Sequence, residues 1–135
     1  MWHKAWYFKD FEIVNKIEEL PFDDDYSYDA KRLGKKVKGF DSEKWREVCY
    51  DVMKLACLAK FSQNKVLFDK ITSPEYEGKH FVEASPFDGV WGIKLGEGDP
   101  RADDETQWNG ENLLGKVLDE VRTELLNGYK AEIKY

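Results

Sequence analysis

The stretch from Asp41 to Phe61 constrains this chain most, because Trp45, Val48, Cys49, Val52, Ala56 and Ala59 recur at helical spacing and form one apolar stripe. Asp41 is placed to cap that helix, and Ser42 and Glu43 fill its first turn, where acceptors and negative charge meet unsatisfied N–H groups. An apolar face of that length must be covered by other elements, and 135 residues supply the core of about one domain. The expectation is therefore a single domain over residues 1–135.

Other helices read from the same periodicity. Asp10 to Leu20 places Ile13, Ile17 and Leu20 on one face and stops at Pro21, which cannot continue a helix. A first helix includes Lys4, a short one runs from Asp29 to Leu33 and ends at Gly34, and another spans Asn64 to Ile71. Asn112 begins the last long helix, with Leu114, Val117, Leu118, Val121 and Leu125 on one face and an end near Asn127-Gly128. Lys79 to Ala84 and Val90 to Leu95 read as strands, and the polar stretch from Gly96 to Asn109 as a long loop. Tyr129, Ala131, Ile133 and Tyr135 alternate with other residues, as in an edge strand. The sum is a helix-rich α+β domain with a few short strands.

Charge and composition narrow the function classes. Apolar content of 41% beside 36% charged residues fits a globular chain, and no run nears the roughly 18 apolar residues that a membrane helix needs. The N-terminus, Met1-Trp2-His3-Lys4-Ala5-Trp6-Tyr7-Phe8, is aromatic and lacks the apolar core of a signal peptide, so a cytoplasmic location is expected. Cys49 and Cys57 sit within a helical pattern, which suits buried thiols better than a disulfide or a metal pair. A net charge of −6 argues against broad non-specific nucleic-acid binding. The basic cluster Lys31, Arg32, Lys35, Lys36 and Lys38 reads either as a solvated face or as a site for a diphosphate or a nucleic-acid backbone.

Several signatures fail on inspection. Gly96-Glu97-Gly98-Asp99-Pro100-Arg101 lacks the third glycine of a dinucleotide fingerprint, and Pro100 blocks its helix. Asp23, Asp25 and Ser27 imitate a calcium loop, but Tyr28 stands where glycine is needed. His3 and His80 have no neighbours in a zinc pattern, and no nucleophile elbow is present. Chemistry then rests on carboxylates and lysine. In Phe81-Val82-Glu83-Ala84-Ser85-Pro86-Phe87-Asp88-Gly89-Val90-Trp91-Gly92, two carboxylates flank a Ser-Pro turn, and Gly110-Glu111-Asn112-Leu113-Leu114-Gly115 suits a tight turn whose N–H groups face an anion. Together they predict a pocket for a phosphorylated sugar. Each residue keeps a structural alternative: Glu83 as a hydrogen-bonded strand end, Asp88 as an Asx-turn, Trp91 as core, Asn112 and Gly115 as helix cap and packing. Lys4, among Trp2, Trp6 and Phe8, is either a reactive amine in a dry setting or a helix lysine whose stem packs on aromatics. Arg122 lies beside the apolar stripe of the last helix, placed to pair with a carboxylate in the pocket.

Five ordered pieces carry a resemblance: Trp2-His3-Lys4-Ala5, Ala30-Lys31-Arg32-Leu33-Gly34-Lys35, Ala59-Lys60-Phe61-Ser62-Gln63-Asn64, the Val82–Asp88 stretch with Trp91-Gly92, and Gly110–Gly115 with Arg122. In order and spacing the chain resembles the NADAR family, named for NAD and ADP-ribose. The resemblance implies a small α+β fold and an N-glycosidase acting on a ribose joined to nitrogen, as in ADP-ribosylated guanine of nucleic acid or early riboflavin-pathway intermediates. It implies catalytic roles for Lys4, Glu83 and Asp88, and ligand contacts for Trp2, Lys31, Lys35, Trp91, Gly92, Asn112 and Gly115. It implies no metal and no cofactor, an ADP-ribose-like or ribosyl-phosphate partner or an ADP-ribosylated nucleic acid, and no membrane. The lysine route has an amine attack C1 and form a Schiff base with ring-opened ribose. The family pattern also has a Ser-Glu motif several residues before the lysine that Lys4 matches, a position that falls before Met1, so the chain reads as an N-terminally shortened member. A non-catalytic module that binds ADP-ribose or NAD through the same residues is the alternative, and a partner-binding protein using the Trp-rich N-terminus is another.

Overall fold

Asp10 explains the start of the chain, because its buried carboxylate serves two backbone donors at once: Oδ1 accepts from Ile13 N at 3.3 Å and Oδ2 from Lys38 N at 2.8 Å. The first bond caps α2 (Phe11–Glu18) and the second ties down the loop before the next long helix. Lys9, with φ of 57°, turns the chain between α1 (Trp2–Tyr7) and α2. The computed structural model describes residues 1–129. The chain divides into two compact units, Met1–Cys49 and Tyr50–Tyr135, each with its own apolar core.

In the first unit α1, α2 and α3 (Tyr26–Gly34) pack on one another around Ala5, Ile13, Val14, Ile17, Ala30 and Val37. Ile13 and Ile17 are buried as the periodicity predicts. α3 begins before the expected Asp29, since Tyr26 enters the helix while stacking on Phe22 with ring centroids 4.5 Å apart. Gly34 is the last helical residue rather than one beyond the end. α4 (Ser42–Gln63) starts in this unit, where Asp41 Oδ1 accepts from Glu43 N at 3.0 Å and Lys44 N at 3.1 Å, as expected of a cap.

The second unit holds the rest of α4, α5 (Lys65–Ile71) and α6 (Leu113–Leu126), with a core of Cys57, Leu58, Ile71, Val117, Val121 and Leu125. Asn64 divides α4 from α5 and caps the latter, its Oδ1 accepting from Leu67 N at 3.2 Å. The buried face of α4 differs in part from the expected stripe: Cys49 is buried as expected, but Cys57 and Leu58 are buried too while Ala56 is exposed. Both cysteines are free and buried.

The α+β expectation is wrong. Among the described residues there is no strand: Lys79–Ala84 and Val90–Leu95 are irregular, with one short 3-10 turn (Pro74–Tyr76) between α5 and the first of them and two more (Pro100–Asp103 and Glu105–Gln107) between the second and α6. The reason is where their backbone hydrogen bonds go. Phe81 N and O and Glu83 N pair with side chains of Asp119 and Asn112, so no ladder between two chains can form. The architecture is helical. The edge strand expected in the tail lies, beyond Tyr129, outside the described residues. Among the described residues no helix is long and apolar enough to cross a membrane.

Candidate active-site residues

Asn112 organises the candidate residues of the second unit. It is buried and takes the left-handed conformation (φ 52°, ψ 42°) that asparagine tolerates better than most residues. Its side chain does not cap α6. Instead Nδ2 donates to Phe81 O and Oδ1 accepts from Glu83 N, each at 3.0 Å, a complementary pair that fixes which end of the amide is which. Gly115, one turn on, has no room for a Cβ, which would overlap Phe81 O and Asn112 Nδ2. The sequence offers both residues either as ligand contacts or as cap and packing of the last helix. The structure has them grip the peptide segment that bears Glu83.

Glu83 is half-buried, and its carboxylate makes no hydrogen bond or ion pair with any described residue. It borders a cavity of about 420 Å³ with Val82, Ala84, Glu97, Ala102 and Asp103. Among the described residues, three carboxylates and no cation line that space. Such a lining favours developing positive charge and opposes a phosphate. The Glu83 main chain is fully engaged, its carbonyl accepting from Ser85 N at 2.9 Å and Ile93 N at 3.0 Å.

Asp88 behaves differently. Its Oδ1 accepts from Val90 N at 2.9 Å and Trp91 N at 2.8 Å, so the carboxylate closes the turn, as the Asx-turn alternative required. Trp91 packs against the apolar core of this unit. Gly92 is buried, and a Cβ there would lie 2.8 Å from Glu83 O and 3.0 Å from Asp88 O, so glycine allows the Glu83 and Asp88 backbones to converge. Arg122, expected to meet a pocket carboxylate, donates instead to Ile71 O at 2.6 Å and holds the end of α5.

In the first unit, Lys4 is partly buried, its Nζ donating to Gly34 O at 3.0 Å and lying 3.8 Å from the Phe40 ring centroid. The contact satisfies an orphan carbonyl at the C-terminus of α3. Desolvation lowers the Lys4 pKa from the usual lysine value, enlarging the fraction present as neutral amine. Trp2 is held by its own neighbours: Nε1 donates to Glu18 Oε1 at 2.7 Å, and its ring stacks on Trp6 at 6.5 Å. Lys31 and Lys35 are exposed at the end of α3.

Sequence reasoning missed Asp119 and His80. Asp119 Oδ1 accepts from Phe81 N at 3.0 Å, and its Oδ2 lies 2.8 Å from His80 Nδ1. The only local signal was position: Asn112, Gly115 and Asp119 recur on one face of a helix, a polar strip beside the apolar one. Among the described residues no group of three or more His, Cys, Asp or Glu could hold a metal ion.

The model of the NADAR domain matches residues 1–126. Protein irg-1 of Caenorhabditis elegans is 40% identical over 133 residues, which is 93% of this chain and 57% of the worm protein. N-glycosidase R617 of Acanthamoeba polyphaga mimivirus is 37% identical over 124 residues, covering 92% of this chain and 69% of the viral protein. The chain thus spans little more than half the length of the worm relative.

Proposed function

This chain belongs to the NADAR domain family, and from that premise we propose that it is an N-glycosidase, hydrolysing the bond between ribose C1 and a base nitrogen. The observation that carries the reading is the Glu83 carboxylate: without a partner among the described residues, half-buried, open to a cavity and borne by a segment whose backbone polar groups are held by Asn112 and Asp119. Similarity to a viral protein named as an N-glycosidase supports the reaction class.

Breaking the C1–N bond sends its electron pair to the departing base, which needs a proton, and leaves positive charge at C1. Glu83 serves either need, and Glu97 and Asp103 add negative potential around the charge that develops. Lys4 is the proposed amine of the Schiff-base route; its lowered pKa supports that role, and its Nζ must leave Gly34 O to attack. Water then hydrolyses the imine and releases the sugar. Each candidate is assigned within its own unit. The proposed substrates are ADP-ribosylated guanine, or a ribosyl phosphate on a riboflavin-pathway intermediate. Trp2, Lys31, Lys35, Trp91 and Gly92 remain proposed ligand contacts from the family pattern, and Asp88 a proposed catalytic carboxylate whose Oδ1 is already committed to the turn.

The test is product release followed by mass spectrometry on ADP-ribosylated guanosine and on a ribosylaminopyrimidine phosphate. Wild type should release base, Glu83→Gln should lose release while keeping its melting temperature, and borohydride should trap a sugar adduct on wild type that Lys4→Ala lacks. Calorimetric binding of ADP-ribose with no base released from either substrate would replace the glycosidase by a binding module.

A further inference from the structure

Glu83 stands on irregular chain, where a side chain ordinarily wanders by more than catalysis tolerates. Here three bonds from one helix face fix it: Phe81 N donates to Asp119 Oδ1, Asn112 Nδ2 to Phe81 O and Glu83 N to Asn112 Oδ1, all at 3.0 Å. Asn112 and Asp119 are seven residues apart, two turns, so they share that face, and Gly115 between them leaves space for the Phe81 carbonyl. We propose that Asp119 is a positioning residue for Glu83, completing with Asn112 a side-chain clamp that sets the carboxylate in its cavity. Resting on the glycosidase reading above, this adds a residue that no part of that reading uses.

Asp119 does not act by touching the same space as Glu83. It lines a different cavity of about 330 Å³ with His80, Glu105, Trp108, Asn112, Lys116 and Glu120. Its influence therefore passes through the Phe81–Glu83 backbone. The second oxygen of Asp119 is held by His80, while Glu105, Lys116 and Glu120 are the other charged groups bordering that cavity. Loss of the Asp119 acceptor frees Phe81 N, and of the side chains only Asn112 then holds the segment, beside the main-chain bonds from Ser85 N and Ile93 N to Glu83 O.

The test joins kinetics to amide exchange. Asp119→Ala should lower kcat on the order of 10–100-fold, the penalty for misplacing a reacting group by about an ångström, with KM within about twofold of wild type. Asp119→Asn, which keeps an acceptor for Phe81 N, should restore most of kcat and alter the pH profile by removing the charge beside His80. In parallel, NMR should show the Phe81 and Glu83 amides exchanging at least about tenfold faster in Asp119→Ala, with Val121 in the core unchanged. Unchanged exchange at Glu83, or an unchanged kcat in an active protein, overturns the clamp. A wild type that releases no base while Asp119→Ala still speeds the Glu83 amide would instead overturn the glycosidase reading and leave the clamp standing.

Discussion

Replacing Gly115 by alanine tests the close approach on which the Glu83 segment depends. In an isolated helix interior the change would stabilise by about 1 kcal/mol, because glycine loses more backbone entropy on folding. Here the added Cβ would overlap Phe81 O and Asn112 Nδ2 and sit 2.7 Å from Asn112 Cγ. One of these atoms is backbone and the other belongs to a side chain bound at both ends, so neither yields cheaply. Overpacking of this kind costs about 1–3 kcal/mol. Pushing Asn112 away also strands Glu83 N and Phe81 O, for about 1–3 kcal/mol more. The expected net loss is about 1–5 kcal/mol, which at roughly 4 °C for each kcal/mol shows clearly in a thermal melt. Urea denaturation monitored by circular dichroism gives the same quantity independently of temperature. Gly96→Ala is the control, since nothing lies within 4 Å of its Cβ position, and it should be neutral or slightly stabilising. A Gly115→Ala protein that melts higher than wild type would refute the packing argument, because helix propensity would then have outweighed the clash.

Asp10→Ala should destabilise by about 2 kcal/mol in urea denaturation, since it removes the acceptor for Ile13 N and for Lys38 N in a buried place; a loss below about 0.5 kcal/mol would mean that water replaces both bonds. His80 has its pKa raised, first by the hydrogen bond to Asp119 and then by that carboxylate's charge. A folded value above the unfolded one means the pairing stabilises fully below pH 6.5 and fades as pH rises through the folded pKa, so His80→Gln should flatten the fall in melting temperature over that interval. Tyr50, whose phenol is pushed up to about 12 by burial and by Glu120, should be the phenol missing from the top of an ultraviolet titration in Tyr50→Phe.

Helical spacing was easy to read where an apolar face meets a core. Ile13, Ile17, Val117, Val121 and Leu125 are buried as their periodicity required, and Asp41 and Asn64 sit at helix starts because capping is decided within a few residues. The stretch from Lys79 to Ala84 misled because an extended, partly apolar segment looks the same whether its hydrogen bonds go to another strand or to side chains. Those partners, Asn112 and Asp119, lie 29 to 38 residues away in sequence, and no local pattern announces them. Asn112 misled for a related reason: an asparagine before an apolar run predicts a cap, yet its left-handed backbone turns the side chain toward Phe81. Of the site, Glu83 was legible as a carboxylate beside a turn. Its lack of a partner among the described residues was not, since that depends on which distant cations fail to arrive.

Three of the bonds that hold Phe81 and Glu83 come from two side chains, where a sheet would have drawn them from main chain. Main-chain partners survive almost any substitution, because every residue except proline offers the same N–H and C=O. Side-chain partners do not. The placement of this carboxylate is thus written into two codons far from its own, while exposed Val82 beside it can drift. A lineage carrying this arrangement can shift the Glu83 carboxylate by a single base change that leaves Glu83 itself intact.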